Sequence, residues 1–123
     1  MTDAELRECC QKWQRVLRLQ DWRINVKFVD TEHMADDALA SCTPFSDAKL
    51  AIIKVSRPDA VDKSGLFAAA FPEHYDSERL LLHELLHIPL HEIFDTDADK
   101  QLGILQEQAI ESIADALLAL DRG

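Results

Sequence analysis

The sequence predicts an α+β fold, and three observations carry that expectation. Apolar side chains recur at helical spacing near both ends of the chain, and residues 22–55 hold three short runs of strand character. Between them and the C-terminal segment, Ser77 to His91 is apolar on almost every side, the pattern of a buried helix. No repeat, linker or low-complexity tract divides the 123 residues, so a single domain spanning 1–123 is expected. A chain of this length can bury a core without disulfide or metal staples.

The elements follow in order. Residues 3–19 place Leu6, Cys9, Cys10, Trp13, Val16 and Leu17 on one helical face, with Thr2 or Asp3 as the cap. In residues 22–29, Trp22, Ile24, Val26 and Phe28 alternate with Arg23, Asn25 and Lys27, which predicts a half-buried strand. Asp30 to Asp37 reads as a connection. Leu39 to Phe45 is a second strand, ended by Pro44 and the Ser46-Asp47 turn, and Ala48 to Val55 is a third, strongly aliphatic one. The short link between these two predicts an antiparallel hairpin. Residues 57–76, with Pro58, Gly65 and Pro72, read either as one wall of a cleft or as a short helical turn covering the sheet. The buried helix then starts at Asp76 or Ser77, and Pro89 ends or kinks it. Asp95 to Asp99 is turn-like. A last helix from Asp97 to Leu120 buries Ile104, Ala109, Ile110, Ile113, Leu117 and Leu120.

Charge and cysteine content narrow the function. Thirteen Lys and Arg against 23 Asp and Glu give a net charge of −10, which argues against a phosphate-tracking surface for nucleic acid. No apolar run reaches the length of a membrane span, and residues 1–20 lack the apolar stretch of a signal peptide. Cys9, Cys10 and Cys42 are odd in number and make no disulfide framework, so a reducing cytoplasm is the expected compartment.

The chemistry is concentrated in His83-Glu84-Leu85-Leu86-His87. Side chains four apart lie on one helix face, so the two imidazoles can converge on one Zn²⁺, with Glu84 beside it as general base. The bland alternative is a core helix whose histidines satisfy each other or backbone carbonyls. A catalytic zinc site needs a third protein ligand. His91, Glu107, Glu111 and Asp115 are the candidates downstream. At about 100° per residue, Glu107 lies roughly 90° from the centre of the expected apolar face, Glu111 roughly 130°, and Asp115 nearly opposite it. Glu107 is therefore the expected ligand. Glu111, one turn on, would orient a ligand or serve as an alternative one.

These residues carry a resemblance. HELLH followed on a later helix by Glu107-Gln108-Ala109-Ile110-Glu111 resembles the gluzincin-type zinc metallopeptidases, with Glu111 where their pattern has Asp. Glu111-Ser-Ile-Ala-Asp115 matches that pattern better by letter but lies on the wetter face. The element order is similar to small zincin-like proteins of phages and prophages, and His87-Ile-Pro-Leu-His91 is loosely similar to the ImmA/IrrE peptidase group. The resemblance implies a minimal zincin-like fold: an N-terminal helix, a small, mostly antiparallel three-stranded sheet, the HExxH helix and a C-terminal ligand helix. It also implies a peptide or protein substrate that pairs with an edge strand.

On that footing the expected activity is peptide-bond hydrolysis, with Zn²⁺ held by His83, His87 and Glu107 and the proton handled by Glu84. Tyr75, His74 and His91 are candidates for stabilising the oxyanion. Two rivals stand beside it. One is a non-catalytic zinc-binding module closed by His91 or Glu111; the other is an interaction or assembly protein in which HELLH is coincidental. The presence of Glu84 favours the enzyme, because a structural site needs no carboxylate there. Substrate and oligomeric state are not legible in the sequence.

Overall fold

Thr2 starts the first helix. Its Oγ1 accepts from the Glu5 amide at 3.1 Å while its own amide donates to Glu5 Oε1 at 2.9 Å, a reciprocal cap. The computed structural model describes residues 1–34, 38–91 and 100–123. Helix α1 runs Asp3–Val16 and buries Leu6, Cys9, Cys10 and Trp13. Asp3 is thus a helical residue rather than the cap, and its carboxylate accepts from the Phe28 amide. Val16, expected in the core, is exposed. The helix stops there because Arg18 takes a left-handed φ of 60°. The Leu19 amide then donates back to Gln14 O and the Arg18 amide to Arg15 O, the Schellman arrangement.

Strands β1 (Arg23–Val29), β2 (Ala40–Phe45) and β3 (Leu50–Ser56) form one sheet in the order β1-β3-β2. The expected hairpin is present: β2 and β3 pair antiparallel, Ala40 opposite Val55 and Phe45 opposite Leu50. The expectation of a mostly antiparallel sheet is corrected, because β1 pairs parallel with β3 from Arg23–Leu50 to Val29–Ser56. A short turn forces the β2–β3 pairing, whereas the longer connection after β1 leaves that strand free to take the other edge of β3. Pro44 does not end β2 but sits inside it opposite Ala51. An edge strand tolerates the missing N–H.

Helix α2 (Leu66–Ala70) follows, in the segment with two open readings. Its Phe67 ring meets those of Phe71, His74 and Tyr75 in the turn before the next helix. Helix α3 spans Ser77–His91, capped by Asp76, whose Oδ1 accepts from the Glu78 and Arg79 amides. Pro89 lies within α3, which continues past it. α3 packs on α1 and on β2 and β3, and its far side meets α4 (Lys100–Arg122). Covered on both sides, α3 has no exposed residue from Ser77 to Ile88, which explains its composition, and only Pro89 and His91 in its last turn are exposed.

The buried stripe of α4 is Gln106, Ile110, Ala114 and Leu118, with Leu117 at its margin. Ile104 (59% exposed), Ile113 and Leu120 (80%) are corrections to the expected face, as is exposed Ala109. The true stripe is turned roughly 40–50° toward the acidic side of the helix. The expected turn at Asp95–Asp99 and the expected helix start at Asp97 lie outside the described residues.

Among the described residues, side chains from α1, all three strands, α3 and α4 join one apolar cluster, with Cys42 of β2 packed at its margin. Among these residues the architecture is α+β, with four α-helices and a mixed three-stranded sheet. No helix among the described residues is long and apolar enough to cross a membrane.

Candidate metal centre

The antiparallel pair α3–α4 brings two series into register. On α3, Arg79, His83 and His87 recur every four residues, and on α4 so do Glu107, Glu111 and Asp115. Residues so spaced stack along one helix face, so each series forms a row. The rows meet. Glu107 Oε2 lies 2.9 Å from His83 Nε2, and its Oε1 lies 3.1 Å from His87 Nε2. Glu111 Oε1 lies 2.5 Å from His83 Nδ1. Arg79 Nη2 donates to Glu111 Oε2 at 2.5 Å and pairs with Asp115 Oδ1 at 2.7 Å.

The corrected orientation of α4 follows from these contacts. Apolar periodicity alone centres the helix on Ile110, Ile113 and Leu117. The polar row of α3 rewards a face that also presents carboxylates, and Ile113 is left outside. Charge-assisted bonds in a partly buried seam are stronger than surface pairs, so they can set the rotation of a helix at the margin of its apolar face.

His83, Glu84 and His87 also form a cluster whose potential ligand atoms lie within 4.8 Å of one another. With Glu111, three carboxylates therefore stand beside the imidazoles, and the environments of Glu84 and Glu107 differ. Glu84 is buried, and that burial raises its carboxyl above the ordinary range although His87 and His83 pull it back. Glu107 is half exposed, and its bonds to His83 and His87 hold it far below the ordinary range. Burial alone would lower His83, yet the bond to Glu107 and the charge of Glu84 outweigh it and raise the imidazole to about 9. The cluster thus draws positive charge to this point. Two imidazole nitrogens and a carboxylate oxygen also match the donor chemistry of a zinc centre with one open position. The residues fit such an ion.

His91 lies farther along the same groove, a space of about 620 Å³ that His87, Gly103 and Glu107 also line. Among the described residues it joins none of the bonds linking His83, His87 and Glu107. His74 and Tyr75 belong to the aromatic group around Phe67. Asp115, nearly opposite the core by its expected angle, nonetheless reaches Arg79. Arg79 is the residue that sequence reasoning missed. Its signal was its place four residues before His83, in step with the motif.

Comparison with known proteins adds no assignment: no family model, no curated protein and no solved structure matches the chain.

Proposed function

We propose that this protein is a zinc-dependent metallopeptidase of the small zincin-like type, with His83, His87 and Glu107 as ligands. The observation that carries the reading is Glu107, whose two oxygens reach the Nε2 atoms of both motif histidines. It is preferred over Glu84 as the third ligand because it sits on both nitrogens in its ionised form. A buried carboxylate with a raised pKa suits proton transfer instead.

Zinc, when bound there, supplies a Lewis acid that polarises a peptide carbonyl and acidifies water. Glu84 accepts a proton from the attacking water and passes it to the leaving amine. Glu111 holds the imidazole of His83 by its Nδ1 and keeps Nε2 turned inward. β2 is the edge strand packed against α3, and its Cys42 thiol is pushed up to about 12 by burial and by the charge of Glu84. An extended peptide paired along β2 would therefore run beside the proposed base. The unpaired Cys9, Cys10 and Cys42 suit a reducing cytoplasm.

The rival reading, a closed and purely structural zinc site, needs a fourth protein ligand. Glu111 is engaged by His83 and Arg79, which weighs against its filling that role. The deciding experiment measures zinc content and peptide-library cleavage for the wild type and Glu84→Gln. Zinc in both with cleavage only in the wild type supports the peptidase. Zinc in both with cleavage in neither favours the structural site, and no zinc in the wild type overturns both readings.

A further inference from the structure

We infer that Arg79 is a positioning residue of the metal centre, acting through Glu111 on His83. The inference rests on the zinc reading above and extends it to a residue outside the HExxH motif.

Glu111 could hold an imidazole in many ways, because a glutamate has three rotatable bonds and its side chain here is one-third exposed. What removes that freedom is Arg79. Arg79 is 7% exposed, and its Nη2 holds Glu111 Oε2 at 2.5 Å while Glu111 Oε1 reaches His83 Nδ1 at 2.5 Å. The same Nη2 takes Asp115 Oδ1 at 2.7 Å, so the arginine is itself anchored from α4. Among the described residues its Nε has no partner. A buried guanidinium with an orphaned donor is costly, and its retention there is accounted for by the two carboxylates it orders. Each residue in the series Asp115–Arg79–Glu111–His83 fixes the next, ending at the His83 ring, whose other nitrogen, Nε2, would face the metal. Outer partners of this kind typically change metal affinity by about 10- to 100-fold when removed.

The test is a double-mutant cycle on zinc affinity, measured by competition with a chromophoric chelator, with folding checked by circular dichroism. Arg79→Gln is expected to weaken zinc binding by about 10-fold or more, and Glu111→Gln similarly. The double variant is expected to lose no more than the worse single one, because both act through one link. Arg79→Lys keeps the charge without the fork and is expected to fall between the wild type and Arg79→Gln. A structural role alone predicts losses that multiply, and that result overturns the inference, as does wild-type affinity in Arg79→Gln. If Arg79→Gln does not fold, Arg79→Lys decides alone: wild-type affinity overturns the inference, and reduced affinity that Glu111→Gln does not deepen supports it. A wild type that takes up no zinc overturns the metal reading itself, a result distinct from all of these.

Discussion

Glu107 Oε1 lies 3.1 Å from His87 Nε2, joining two helices that are 20 residues apart at these positions in the chain. The other oxygen of the same carboxylate reaches His83. One side chain of α4 thus closes the gap that HELLH leaves open on α3. The neighbouring turns repeat the arrangement, with Glu111 between His83 and Arg79 and Asp115 on Arg79.

His83→Ala, His87→Ala and Glu107→Ala should each lower bound zinc from about one per chain toward none under mild dialysis, read by metal mass spectrometry. Glu84→Gln should retain the metal and lose about 10²-fold or more in peptide hydrolysis. Equal zinc loss from Glu84→Gln would make Glu84 a ligand and reverse the assignment with Glu107.

The rotation of α4 can be tested by stability. Ile110 is fully buried, so Ile110→Ala should cost about 2–5 kcal/mol in urea unfolding. Ile113 is exposed, and Ile113→Ala should change stability by less than about 0.5 kcal/mol. Comparable losses at both positions would restore the face that apolar periodicity alone predicts.

Glu78 sets an acid limit on stability. Burial would raise its carboxyl, but donors from Trp13 Nε1 (2.8 Å), Lys12 Nζ (3.0 Å), Cys9 Sγ (3.2 Å) and Arg122 Nη2 (3.1 Å) outweigh it. The result is a value of about 2 against an ordinary 4.5. A depressed folded-state value stabilises the fold above the unfolded-state value, and the gain is lost as pH falls through the folded one. The window therefore runs from about pH 4.5 down to about 2. Partial solvent access limits the effect to about 1–2 kcal/mol. Glu78→Gln should flatten the wild-type decline in unfolding free energy across this window, and an unchanged slope would refute the linkage.

Arg18 carries backbone strain where glycine is the usual residue, after α1 in the left-handed region. Arg18→Gly should raise stability by about 0.5–1 kcal/mol, seen as a higher melting temperature, since Arg18 is exposed and its side chain is not needed for the turn. A lower melting temperature would mean that the arginine side chain contributes more than the strain removes.

Much of the site was legible because its signals are local. His83 and His87 share a face by spacing alone, and the leucines between them declare burial whatever the helix packs against. Glu107 was reachable by angle, but only as a residue at the margin. Arg79 was not weighed, because an arginine on a helix ordinarily belongs to a solvated face, and only its neighbours across the seam say otherwise. The parallel β1–β3 pair was missed for a related reason: no residue within β1 records which strand lies beside it.

By itself the sequence determined the buried HELLH helix, a capped start of α1 at Thr2 or Asp3, and the β2–β3 hairpin, since each depends on residues within a few positions of one another. Tertiary structure decided which edge of β3 receives β1, which face of α4 turns inward, and which acids meet Arg79, His83 and His87. Those outcomes depend on partners brought together from distant parts of the chain. Apolar burial is non-directional and leaves the rotation of a helix loosely set, whereas charged hydrogen bonds require particular atoms at particular distances and select one rotation from that range.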